Sequence, residues 1–143
     1  MGAPPRLIDL SIARSFEDAA TLTISIGTDA YMAPEQSAPA PRVVGPAADV
    51  WGLGATLYEA VTASQPFPRG SRDPNAGREE RFPQLTRRPA PLSSDVPGEL
   101  AEAIHSALAF DRAERPTARE IAETVEPLLR RPRRLVLNQL KPR

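Results

Sequence analysis

The segment from Pro46 to about Thr62 constrains this chain more than any other, because it reads as a helix with apolar residues on nearly every face. Val50, Leu53, Leu57 and Val61 are spaced 3, 4 and 4 apart, which places them on one helical stripe. Ala47, Ala48, Trp51, Ala55, Tyr58 and Ala60 make the other faces apolar as well. Such a helix needs neighbours on every side and belongs at the centre of a domain. Pro46 suits its start, since the first turn has no use for the missing amide.

Prolines limit what can surround it. Those at 34, 39, 41 and 46 leave room for a short helical turn at most, because each removes a backbone donor and restricts the residue before it. Pro66 to Pro97 holds seven prolines among mixed charges and reads as a connector. Pro97 opens a second helix to about Phe110, with Leu100, Ile104, Ala107 and Leu108 facing inward. Thr117-Ala118-Arg119-Glu120 is a capping box that starts a third, whose stripe is Ile121, Val125, Leu128 and Leu129 and whose stop is Pro132. Near the amino terminus, Arg6 to Leu10 reads as one short strand behind Pro4-Pro5, and Ala13 to Ile26 as a loop without a period. The fold class is mainly α.

With 143 residues, 41% of them hydrophobic, the chain fits one modest domain. Eighteen basic residues balance eighteen acidic ones, so no overall field draws it to nucleic acid or membrane. The tail is locally basic, with Arg130, Arg131, Arg133, Arg134, Lys141 and Arg143 all following the last acidic residue, Glu126. No cysteine is present for disulfides or thiolate metal sites, and no apolar run is long enough to span a membrane. A cytoplasmic protein is the expectation.

Four short signatures stand in a telling order: Ile8-Asp9-Leu10-Ser11, Gly27-Thr28-Asp29-Ala30-Tyr31-Met32-Ala33-Pro34-Glu35, Ala48-Asp49-Val50-Trp51-Gly52-Leu53-Gly54 and Glu114-Arg115-Pro116-Thr117. Together they resemble the carboxyl-terminal lobe of a bacterial-type serine/threonine protein kinase, from the activation segment onward. The resemblance implies a partial kinase-like lobe over residues 1–129, with the short strand and an activation-loop segment at its start, and a basic tail over 130–143. It also implies the family reaction, ATP-dependent phosphorylation of protein hydroxyls.

Carried over by position, Asp9 matches the magnesium-binding aspartate, in a motif where Leu10 and Ser11 replace Phe and Gly. Thr28 matches the threonine on the substrate side of the catalytic aspartate. Thr21 and Thr23 lie where activation loops are phosphorylated. Glu35 and Arg115 match a structural ion pair, so their charged ends are expected to meet across 80 residues. Asp49 anchors the buried helix; its place in a first turn also suits the helix dipole, and its family partners belong to a catalytic loop that this sequence does not contain. Gly52-Leu53-Gly54 is not a nucleotide fingerprint, since Leu57 stands where the third glycine is needed. His105 reads as a surface or boundary residue and Trp51 as core.

Phosphoryl transfer also needs a Gly-rich loop, a lysine on the phosphates, and a catalytic aspartate with its metal-binding asparagine. The only lysine is Lys141 and the only histidine is His105, within a helix. The chain alone is expected to be inactive and to bind neither ATP nor magnesium tightly. Met1 then reads as an internal methionine of a longer kinase. Its expected partners are protein substrates or a missing amino-terminal half. The alternative is a non-catalytic, kinase-like interaction module that docks through the surface around Asp49 and Trp51. A third reading makes the basic tail an anchor for acidic partners.

Overall fold

A computed structural model describes residues 28–37 and 44–130 of the chain. The expected amino-terminal strand, the loop over 13–26, Asp9, Thr21, Thr23 and the tail beyond Arg130 lie outside the described residues. Within them the protein is helical, as the sequence leads one to expect. Five α-helices, α1 (Pro34–Ser37), α2 (Pro46–Thr62), α3 (Arg78–Arg81), α4 (Gly98–Ala107) and α5 (Ala118–Arg130), are joined with 3-10 turns at Asp29–Tyr31, Pro83–Leu85 and Arg112–Glu114.

Helix α2 is the centre. It starts at Pro46 and ends at Thr62, capped by Ala63, whose φ of 55° is left-handed and whose amide donates to Glu59 O at 2.7 Å. Its buried residues are Ala48, Val50, Trp51, Gly54, Ala55 and Tyr58. Ala48, Trp51, Ala55 and Tyr58 form one core with Ala33, Phe67, Ile104 and Leu108, in which the Trp51 and Phe67 rings stack with centroids 5.5 Å apart. Val50 joins Ala107 and Ile121 in a second cluster, with Val125 against it. Helix α4 thus packs on α2, and α5 packs on α4.

This corrects the stripe expected from spacing. Leu53 is 38% exposed and Val61 37%, so half of the predicted face points outward. The face that wins carries Trp51 and Tyr58, the two largest apolar side chains of the helix, which bury more area per residue. Gly54 has a packing role. A Cβ placed there would lie 2.8 Å from the Ala107 Cβ, so its absence sets how closely α2 and α4 approach.

The inward face of α4 holds: Ile104 and Ala107 are fully buried, Leu108 nearly so, and Leu100 packs against the core. The helix ends at Ala107, however, and Phe110 is 62% exposed. The capping box of α5 forms in both directions, with Thr117 N donating to the Glu120 carboxylate at 2.7 Å and Glu120 N to Thr117 Oγ1 at 3.2 Å. Ile121 is buried but Leu129 is 84% exposed, which removes it from the expected stripe. That end of α5 also contains Pro127, which gives up one helical hydrogen bond.

The proline-rich stretch is an ordered connector with short elements of its own. It contains α3 and the turn at Pro83–Leu85 and buries Phe82, Pro83 and Gln84. Prolines shorten elements without preventing them.

Candidate functional site

Thr28 is exposed and extended, and its carbonyl accepts the Tyr31 amide at 2.9 Å to open the 3-10 turn at Asp29–Tyr31. A buried glutamine holds this turn in place: Gln84 Nε2 donates to Asp29 O at 2.9 Å and to Met32 O at 3.0 Å. On its other side the Tyr31 hydroxyl donates to the Glu59 carboxylate. That bond, with burial and the Glu59 charge adding to it, raises the Tyr31 pKa above the usual phenol value. The chain then enters α1, where Gln36 Oε1 accepts the Ala33 amide at 2.8 Å.

Glu35 projects from α1 onto Arg115. The pair is bidentate, with Nη1 donating to Oε1 at 2.7 Å and Nη2 to Oε2 at 2.8 Å. Arg115 has no side-chain exposure and Glu35 has 15%. A buried guanidinium is costly unless every donor is used, and here each is. Nε donates to Ala109 O at 2.8 Å, Nη1 to Ala47 O at 2.9 Å and Nη2 to Phe110 O at 3.2 Å. The last of these explains why α4 stops short of Phe110, because the chain must leave the helix to turn the carbonyls of 109 and 110 towards the arginine. The guanidinium carbon also lies 4.9 Å from the Trp51 ring centroid, over its face.

A cleft of about 260 Å³ opens beside Thr28, lined by Thr28, Asp29 and Ala30 together with Arg69, Arg72 and Arg81. Gln84 and Phe67 contribute to its lining. The lining supplies cations and amide donors, so its chemistry is that of binding a ligand rather than moving a proton.

Of the other expected site residues, Asp49 is exposed in the first turn of α2 and His105 is exposed on α4. Asp9, Thr21 and Thr23 lie outside the described residues. Among the described residues no group of His, Cys, Asp or Glu could hold a metal ion, and no helix is long and apolar enough to cross a membrane. Sequence reasoning missed Gln84, the Tyr31–Glu59 contact and the three arginines of the cleft. A glutamine between a proline and a leucine has no periodic signal, and single arginines in a polar stretch look like ordinary surface.

Residues 2–125 match the protein kinase domain family. Among curated proteins the chain is 34% identical over 131 residues to the serine/threonine-protein kinase PknK of Mycobacterium tuberculosis, covering 89% of this chain and 11% of that protein. It is 35% identical over 120 residues to the probable serine/threonine-protein kinase PkwA of Thermomonospora curvata, covering 82% of this chain and 15% of that one. To the serine/threonine-protein kinase AfsK of Streptomyces coelicolor it is 33% identical over 127 residues, covering 87% and 15%. The chain therefore spans a small fraction of the length of the relatives it matches.

Proposed function

The chain belongs to the protein kinase domain family, and on that premise we propose that it is the substrate-holding part of a serine/threonine kinase, without catalytic activity by itself. The observation that carries this reading is the bidentate Glu35–Arg115 pair, which ties the segment after Thr28 to the body of the lobe. In this reading Thr28 sits beside the hydroxyl that receives the phosphoryl group. The kinase portion runs over 1–129, with 130–143 a basic tail. Asp9 is a remnant magnesium ligand, Thr21 and Thr23 are candidate phosphorylation positions, and Asp49 anchors α2.

The family reaction draws on ATP and magnesium, which supply the phosphoryl group and neutralise its charge. The residues present do not fit tight binding of either. This sequence has no Gly-rich loop, its one lysine is Lys141, and the described residues include no metal-holding cluster. No step is derived through them.

A radiolabelled ATP assay on the pure 143-residue chain tests this. The expected result is no transfer to a general serine/threonine substrate. Transfer that disappears in Asp9→Ala overturns it.

The second reading, a non-catalytic interaction module in a cytoplasmic setting, loses Trp51 from its expected docking surface, since that side chain is buried, and draws instead on exposed Asp49, Leu53 and Val61 of α2. A chain that is monodisperse at high concentration, with a sharp two-state thermal transition, favours that module. Aggregation or broad melting favours a lobe that needs a covering partner.

A further inference from the structure

Among the described residues, two sets of arginines differ in what faces them. Arg115, Arg119 and Arg130 each have a glutamate within salt-bridge distance. Arg69, Arg72 and Arg81, which share one wall of the cleft beside Thr28, form no ion pair among the described residues. The only carboxylate among the residues lining that cleft is Asp29, next to Thr28. Among the side chains lining this concave space of about 260 Å³, three cations stand against one anion.

The wall is built rather than incidental. Ser71 N donates to Glu80 O at 2.8 Å, which fastens the loop carrying Arg69 and Arg72 to α3, the helix that carries Arg81. Gly70 makes this approach possible: a Cβ there would lie 1.9 Å from Arg81 O, a backbone atom that has nowhere to go. Arg81 is held over the Phe82 ring, its guanidinium carbon 5.6 Å from the centroid. The Thr28 wall is fixed as well, since the buried Gln84 amide clamps Asp29 and Met32. A fixed backbone bearing guanidinium groups without carboxylate partners among the described residues presents a preorganised recognition surface.

We propose that this cleft takes a carboxylate side chain of the peptide whose serine or threonine lies beside Thr28, so that Arg69, Arg72 and Arg81 select acidic residues close to the phosphoacceptor. The inference rests on the placement of the acceptor hydroxyl under the function proposed above. Guanidinium groups suit the task because their planar fork meets a carboxylate through two hydrogen bonds and does not lose its charge near neutral pH. Asp29 sharpens the choice by repelling a second acidic group placed against its own wall.

The test is a titration of the isotope-labelled full chain with three serine peptides that are identical except for Glu, Gln or Lys at the residues flanking the serine. Amide shifts of Thr28, Gly70 and Arg72 report binding. The Glu peptide is expected to bind about fivefold more tightly than the Gln peptide, the order expected of exposed charge pairs, and the Lys peptide most weakly. The preference is expected to shrink with added salt, to vanish in the double variant Arg69→Ala/Arg72→Ala, and to survive largely in Arg69→Lys/Arg72→Lys. Circular dichroism of each variant checks that the fold is kept. Equal affinity for all three peptides, with Thr28 still perturbed, overturns the charge selection while leaving the substrate-side reading in place. Peptides that leave Thr28 unmoved overturn both, and a Glu preference that persists in the double Ala variant assigns recognition elsewhere.

Discussion

Arg115 and the arginines of the cleft are the same residue put to opposite uses. At Arg115 all donors are spent, two on Glu35 and the others on the carbonyls of Ala47, Ala109 and Phe110, with no side-chain exposure left. At Arg69, Arg72 and Arg81 the guanidinium groups stay exposed and without carboxylate partners among the described residues. The difference teaches that charge in this lobe is either consumed by architecture or kept for a ligand. Burial tells which.

That contrast breaks most directly at Arg115. Arg115→Ala removes five hydrogen bonds and leaves Glu35 without its partner, so a loss of about 3 to 5 kcal/mol is expected from urea unfolding midpoints. A loss under about 1 kcal/mol, the range of surface pairs, would dissolve the distinction. Next comes the interface that Arg115 helps to frame. Gly54→Ala adds up to about 1 kcal/mol of helix propensity but sets a methyl 2.8 Å from the rigid Ala107 Cβ. Overpacking of about 1 to 3 kcal/mol is the larger effect, and the melting temperature should fall.

Ala63→Gly works the other way. The residue is left-handed with φ of 55°, and relief of that strain outweighs the added freedom of glycine in the unfolded chain by about 0.5 to 1 kcal/mol. A higher unfolding midpoint is expected, and a lower one would mean the C-cap carries too little strain to offset the freedom glycine adds to the unfolded chain.

The capping box tests an exposed charge used structurally. The Glu120 carboxyl is held below its usual range by the Thr117 amide first and the Thr117 hydroxyl second. A carboxyl depressed in the folded state stabilises at pH above its unfolded value, and that contribution is lost as the pH falls through the depressed folded value. The stability gap between the native chain and Glu120→Gln, followed by urea unfolding from neutral pH into acid, should therefore narrow on acidification.

The smallest effect sharpens the comparison most. Arg69→Ala/Arg72→Ala is expected to change unfolding free energy by no more than about 0.5 kcal/mol while abolishing the acidic-peptide preference. A clear loss of stability would show that these arginines, too, serve the fold.

Legibility in the sequence followed the range of each signal. The bounds of α2 came from a proline and a run of apolar residues, both local, and they match the structure. The capping box is local as well. Contact between Glu35 and Arg115 was expected from two motifs in order, although the three carbonyls that complete the arginine's shell leave no trace in side-chain identity. The stripe containing Leu53 and Val61 misled because a helix apolar all round has no preferred face until its partners are chosen, and Trp51 chose it by stacking on Phe67. Phe110 was lost to the helix because Arg115 claims its carbonyl. The cleft was invisible, since it arises where Gly70 lets a loop lie on α3, and no periodicity records a close approach of backbone to backbone.

The distance in sequence between Glu35 and Arg115 has a consequence in time. The two are 80 residues apart, so on a ribosome adding about 5 to 20 residues each second the glutamate is made about 4 to 16 s before the arginine that receives it. Until Arg115 emerges, the segment beginning at Thr28 is held through contacts such as Arg78 Nη1 donating to Ser37 O but lacks its ion pair at Glu35, and the carbonyl of Ala47, 68 residues ahead of the same arginine, waits with it. Arg115 closes both loops in a single event once it has emerged, which makes it the latch of the lobe rather than its seed. Mutations at the latch should accordingly hasten unfolding more than they slow folding.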